Sequence, residues 1–217
     1  MTNITEDIRR LRVFGSIPVE FSALRALYSD YASPASKVAQ LCKQGLLVRI
    51  QKGWYLVSEL VSGERANTNL IANHLYGPSY VSLESALQEY GLIPEAVYSV
   101  ESITLRRSKH FSTQLGAFHY HHVSSGYYSI GLQRQQTQDG YTYLIALPEK
   151  ALCDHFVKTN GLQVRSRSAM LEYLIGSLRI DSDRLAFMDP DIINAVAAAG
   201  SKRQTLLYLK EAVEWLS

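Results

Sequence analysis

The feature that most constrains the fold is a helix-forming segment followed at once by two short strands and a tight turn. Ser33-Pro34 predicts a helix start, because a serine side chain can cap the first turn and proline fits the first helical position. Gly45 predicts the helix end, since glycine readily adopts the left-handed conformation found there. Residues 46–57 then predict two strands joined by a turn at Gln51-Lys52-Gly53.

Two further helices are predicted upstream of this segment. Ile4, Ile8 and Leu11 recur at helical spacing within residues 4–14, and a second helix is predicted from Val19 or Glu20 to Tyr28. Three helices followed directly by a basic-tipped hairpin are the layout of a winged helix-turn-helix. We therefore predict a DNA-binding domain of this kind over residues 1–60.

The third helix is predicted to have a packed face and an exposed face. Val38, Leu41 and Cys42, with Ala35, are expected to pack inward, whereas small hydroxyls, amides and a lysine follow the opposite stripe, which ends at Gln44. Such side chains suit a DNA groove, where they reach base edges or phosphates. The candidate DNA-binding residues on the helix, strand and turn are Ser33, Ser36, Lys37, Gln40, Lys43, Arg49, Gln51 and Lys52.

The charge distribution favours a polyanionic partner for this region. Residues 1–62 carry a net charge of +3 and the remainder −1, and no acidic residue lies between Asp30 and Glu59. A carboxylate in that window would face phosphate, so its absence suits DNA binding. Two alternatives stay open: a surface that is basic by chance, and a winged helix used only for protein contacts.

The remainder of the chain predicts an α+β domain over residues 65–217, joined by a linker at residues 58–65. A central antiparallel sheet surrounded by helices is expected, with Ser82 as a helix cap and a capping box at residues 201–204. Strands are predicted at 97–105, 115–123, 127–132 and 141–147, with 133–140 as a loop; helices are predicted at 66–76, 83–90, 148–159, 167–177, 182–187, 190–199 and 202–216.

Candidate chemistry outside the first sixty residues is sparse. His119 and His121 would face one side of a strand and could share a metal with an acid, but the sequence favours an aromatic, half-buried sheet face there, because no spaced set of Cys and His ligands accompanies them or His122. No catalytic residue, metal site or cofactor is therefore predicted, and we expect no enzyme activity. Arg106, Arg107 and Lys109 form a possible second basic patch, which could also be a solvated turn.

The sequence also predicts a cytoplasmic protein that does not enter a membrane. Charged residues begin at Glu6, and no apolar run approaches the ~18 residues of a membrane span. Cys42 and Cys153 lie far apart, which is typical of reduced thiols.

Three phrases of the sequence resemble AbiEi-type antitoxins, the regulator half of type IV toxin–antitoxin pairs. They are QLCKQGLLVRIQKGWY at residues 40–55, YVSLESALQEYGLIP at residues 80–94 and ALPEKALCD at residues 146–154. Their order and spacing match over roughly residues 20–160, and only general helicity remains beyond that point. The matched phrases look like scaffold, so no antitoxin site residue is carried over.

The resemblance implies two activities. The winged helix would bind inverted repeats in a double-stranded DNA operator and repress its own operon, and the C-terminal domain would counteract a nucleotidyltransferase toxin encoded next door. The alternative is an orphan winged-helix regulator whose second domain senses a ligand or partner and neutralises no toxin.

Overall fold

Helices dominate the chain in the computed structural model, which describes residues 4–95 and 98–217. In these residues the chain is a mixed α+β protein. The helices are α1 Ile4–Leu11, α2 Phe21–Leu27, α3 Pro34–Lys43, α4 Glu59–Ser62, α5 Thr68–Leu75, α6 Leu83–Glu89, α7 Ser125–Tyr128, α8 Pro148–Lys158, α9 Arg167–Leu171, α10 Ser182–Ala186, α11 Pro190–Ala199 and α12 Arg203–Leu216. The strands are β1 Val19–Glu20, β2 Leu47–Gln51, β3 Trp54–Val57, β4 Ser79–Val81, β5 Ser99–Thr104, β6 Lys109–Thr113, β7 Gly116–His122, β8 Leu132–Gln136 and β9 Thr142–Ala146.

The N-terminal part of the chain, residues 4–62, consists of α1 to α4 and a three-stranded antiparallel sheet in the order β1-β3-β2. The predicted helix end at Gly45 is confirmed, with φ of +71°. The helix predicted from Val19 or Glu20 begins at Phe21, because Val19 and Glu20 pair with β3. The predicted linker at residues 58–65 is partly wrong, since it contains α4.

The larger sheet has six strands in the order β6-β7-β5-β4-β9-β8. The prediction of an antiparallel sheet is partly wrong: β4–β5, β6–β7 and β8–β9 are antiparallel, but β5 pairs with β7 and β4 with β9 in parallel. The β6–β7 hairpin folds back so that β7 lies beside β5, and β4 meets β9 only after a long connection. Both arrangements depend on distant parts of the chain.

Two local predictions in this part of the chain are wrong, and one strand is missing from them. The strand predicted at 127–132 is replaced by α7 and a turn, because Tyr127 turns its hydroxyl into the core towards Asp154. The predicted loop at 133–140 contains most of β8, and β6 was not predicted. Position 97, at the start of the strand predicted for 97–105, lies outside the described residues.

The C-terminal helices begin and end close to their predicted bounds, and the segment predicted at 167–177 continues from α9 as a π-helical stretch over Glu172–Ser177. The predicted capping box is absent. Lys202 occupies the N-cap of α12 with φ of +55° and makes no side-chain cap, although its ammonium donates to the carbonyls of Phe156 and Thr159.

Two hydrophobic clusters hold the chain together. The smaller one lies within the N-terminal part, and the larger one joins the six-stranded sheet to its helices. Ile50 and Leu56, from β2 and β3, belong to the larger cluster, so one face of this hairpin packs against the rest of the molecule. In addition, Ser16 donates a hydrogen bond to Asp139. Among the described residues, no helix has both the length and the apolar character needed to cross a membrane.

Candidate nucleic-acid interface

The start of α3 has the predicted capped geometry. The Ser33 hydroxyl accepts a hydrogen bond from the backbone N–H of Ser36 at 3.3 Å, and Pro34 occupies the first turn. The two serine hydroxyls also lie 2.9 Å apart. The cap fixes where the helix begins and therefore which side chains share its outer face.

The outer face of α3 carries mainly short side chains. Ser36 and Lys43 are exposed as predicted, and Gln40 is half-buried. Ala35 was expected to pack inward but is exposed, as is Ala39. Because two alanines are exposed on this face, it is flatter than the predicted stripe of polar side chains. Short side chains let a helix backbone approach a partner surface closely.

The predicted contact of Lys37 with DNA is wrong. Its side chain is 1% exposed and its ammonium donates to the Asp7 carboxylate at 2.6 Å. The ammonium also lies 5.6 Å from the ring centre of Tyr28 and 4.8 Å from that of Tyr31. Because a buried cation needs a paired anion, Asp7 of α1 draws this lysine into the N-terminal core.

The β2–β3 hairpin places the next cations. Arg49 and Lys52 are exposed and Gln51 is half-buried, and the Arg49 guanidinium donates weakly to the Gln51 carbonyl at 3.4 Å. Gly53 has φ of +84°, which the tight turn requires, and its carbonyl accepts the N–H of Phe21 at 2.8 Å. This bond fixes the tip of the hairpin against α2.

A groove of about 480 Å³ separates α3 from the hairpin. Its floor is largely apolar, with the two hairpin cations at its rim. The lining residues are Phe21, Ala35, Ala39, Cys42, Arg49, Lys52, Gly53 and Tyr55. Burial raises the pKa of the Cys42 thiol. This side chain therefore lines the groove as a neutral thiol and not as a reactive thiolate.

The α3–hairpin surface, defined as Ser36, Gln40, Lys43, Arg49 and Lys52, therefore combines an exposed helix face with three cations. The hairpin face that carries Arg49 is not the face that enters the larger cluster. An acid does lie close by, because Glu20 pairs with Trp54 in the small sheet.

The second predicted patch is also brought together. Arg106, Arg107 and Lys109 are exposed at the turn into β6 and at its first residue. The Arg106 guanidinium lies 5.1 Å and the Lys109 ammonium 5.3 Å from the ring centre of Tyr76. These two cations are held in place by an aromatic ring.

The histidines face one side of the sheet as predicted. His119 and His121 each contact one oxygen of Glu101 at 2.7 Å, from the neighbouring strand β5. Burial alone would raise the pKa of Glu101, but hydrogen bonds led by that of His121 hold it below its ordinary value. Within residues 4–95 and 98–217, no three histidine, cysteine or carboxylate side chains are arranged to hold a metal ion.

Sequence reasoning missed a buried polar network around Asp154. This carboxylate, which is fully buried, accepts hydrogen bonds from Tyr80 at 3.1 Å, Ser82 at 2.6 Å and Tyr127 at 2.7 Å. Lys150 pairs with it at 3.1 Å and is also fully buried. The prediction that Ser82 caps its helix is therefore wrong, because its hydroxyl donates to Asp154 instead.

The network joins two segments that lie far apart in the sequence. Tyr80 and Ser82 come from the segment at residues 80–94, whereas Lys150 and Asp154 come from the segment at 146–154. Burial lowers the pKa of Lys150, but the contact with Asp154 opposes that shift. With no exposed member, the network acts as scaffold that fixes α8 to the sheet.

Comparison of the chain with protein-family models and with curated proteins gives no match.

Proposed function

We propose that the chain is a DNA-binding transcriptional regulator, with residues 1–60 as a winged helix-turn-helix and residues 65–217 as a second domain. The observation that carries the proposal is the α3–hairpin surface, which joins an exposed helix face of short side chains to Lys43, Arg49 and Lys52. An arrangement of this kind fits a major groove between two phosphate backbones.

Each residue of the surface, together with the neighbouring Gln51 and Ser33, has a role in this proposal. Ser36 and Gln40 face base edges, whereas Lys43 and Arg49 contact the backbone beside the helix. Gln51 and Lys52 meet the backbone at the hairpin tip. Ser33 serves as the cap of α3, and we assign it no contact of its own with DNA.

The test is the salt dependence of binding to the DNA upstream of the chain's own start codon. Every phosphate contact contributes about 0.9 to the log–log slope of affinity against salt concentration. We expect Lys43→Ala and Lys52→Ala each to lower the slope by about that amount. Arg203→Ala, which removes an exposed cation at the start of α12, is the matched control and should leave the slope unchanged.

Two results would contradict the proposal. One is a slope that none of the three surface cations changes, and the other is equal affinity for the upstream DNA and a scrambled duplex of the same length. Gln40→Ala addresses the second point directly, since loss of a base contact should reduce discrimination by about 1–3 kcal/mol.

We further propose that the regulator is the antitoxin of a type IV pair that counteracts a nucleotidyltransferase toxin. The support is the resemblance of the three phrases to AbiEi-type antitoxins. Co-expression with the neighbouring gene tests it: rescue of growth supports the antitoxin role, whereas a neighbour without toxicity favours the orphan regulator.

A further inference from the structure

A second long stretch of the chain lacks acidic residues. No aspartate or glutamate occurs in residues 102–138, although Arg106, Arg107, Lys109 and Arg134 all fall inside it. None of these four cations forms an ion pair among the residues that the structure describes. The region therefore carries positive charge that the molecule itself does not neutralise.

Three of these cations lie at an open edge of the large sheet. β6 is the terminal strand and pairs only with β7 in the described sheet. Thr113 and Gly116 flank the two-residue loop of this hairpin and form a hydrogen-bonded pair. Because such pairs alternate along an antiparallel ladder, the backbone groups of Lys109, Phe111 and Thr113 point towards β7. His110 and Ser112 consequently present their backbone N–H and C=O groups to the open edge, and both are exposed.

The two faces of β6 offer different side chains to an added strand. On one face Lys109 lies 4.6 Å from the ring centre of Phe111, beside the ring of Tyr76. On the other face His110 pairs with His119, with ring centres 6.4 Å apart. The first face therefore offers positive charge and aromatic surface to an acidic segment, whereas the second already carries the Glu101 carboxylate beside His119.

The open edge of β6 lies at the far side of the large sheet from the turn that contacts the N-terminal part. The N-terminal part contacts the large sheet at Asp139, in the turn between β8 and β9, and β8 is the opposite edge strand. Five strand spacings separate β6 from β8, which is about 24 Å.

We propose that the open edge of β6 binds an acidic, extended segment of a partner protein as an added strand. The exposed backbone groups of His110 and Ser112 would supply main-chain hydrogen bonds, and Arg106 and Lys109 would pair with the segment's carboxylates. Pairing of two copies through this edge is disfavoured, because it would bring their lysines and arginines together. The proposal does not depend on DNA binding.

The experiment measures binding of labelled peptides to the full chain by fluorescence anisotropy at low salt. The probe is an eight-residue peptide of alternating glutamate and valine, and a lysine–valine peptide of the same length controls for charge. A glutamate–valine peptide N-methylated at alternate amides controls for strand addition, because it cannot donate those backbone hydrogen bonds.

We expect the glutamate–valine peptide to bind and the lysine–valine peptide not to bind. N-methylation, or the double change Arg106→Glu/Lys109→Glu, should weaken binding by about tenfold or more, whereas Arg203→Glu should not. An unchanged circular dichroism spectrum and urea unfolding midpoint of the double variant would show that it is folded.

Three outcomes would overturn the proposal. Absence of peptide binding rejects the site, and equal binding of the N-methylated peptide shows charge attraction without strand addition. If the double variant stays folded by circular dichroism but loses DNA affinity, the patch is a nucleic-acid surface instead. Absence of peptide binding is also the result expected if the cations beside β6 serve only to prevent edge-to-edge aggregation.

Discussion

Removal of Lys37 should destabilise the protein without acting through DNA. In the structure its ammonium and the Asp7 carboxylate are 2.6 Å apart, with side chains 1% and 2% exposed. Lys37→Ala leaves the carboxylate buried without its partner, which costs about 3–5 kcal/mol. At about 2–4 °C per kcal/mol for a chain of this size, the midpoint of thermal unfolding should fall by roughly 10 °C.

A double variant separates burial of charge from packing. Asp7→Leu/Lys37→Met removes both charges and fills a similar volume, and replacing a buried pair in this way is often neutral or stabilising. We therefore expect the double variant to recover most of the stability lost in Lys37→Ala. Lys43→Ala, on the exposed face of the same helix, should change stability by no more than about 0.5 kcal/mol.

Urea unfolding followed by circular dichroism gives the stability, and the salt slope tests the proposed DNA binding. The double variant should retain the wild-type slope, whereas Lys43→Ala should lose about 0.9 from it. A Lys37→Ala variant destabilised by less than about 1 kcal/mol would refute the burial argument. A double variant whose slope fell as far as that of Lys43→Ala would show that Lys37 does reach phosphate.

Three further predictions concern the scaffold. Asp154→Ala should lower stability by about 3–5 kcal/mol in urea unfolding, because the Lys150 charge is then buried alone; a loss below about 1 kcal/mol would contradict the network. Ser33→Ala should cost about 1 kcal/mol through the lost cap, and Ser33→Asp, a good cap, should restore it. Because the folded pKa of Glu101 is lowered from 4.5, its stabilisation should be complete above that value and lost as pH falls through the folded pKa; Glu101→Gln should flatten this acid limb, and an unchanged limb would count against the histidine contacts.

The features that the sequence predicted well are those determined within a few residues. The start of α3 at Ser33-Pro34 and the start of α8 at Pro148 follow from caps and proline geometry, and both helices begin there. The turn at Gly53 follows from the positive φ that glycine allows. Each of these signals is contained in one turn of the chain.

The features that the sequence could not predict depend on partners far along the chain. Lys37 follows the polar stripe of its helix, and only Asp7, 30 residues away, turns it inward. The tyrosine-rich segment after Gly126 resembles a strand by composition, yet a hydrogen bond to Asp154 holds Tyr127 in a short helix. Parallel pairing of β4 with β9 likewise has no local signal.

The sharing of the β2–β3 hairpin between both halves of the molecule has a mechanical consequence. Ile50 and Leu56 anchor it in the larger hydrophobic cluster, and the Gly53 carbonyl ties its tip to Phe21. We therefore expect a displacement within the larger cluster to move the hairpin turn that carries Lys52. A partner bound to the C-terminal half should then change the position of the α3–hairpin surface as well.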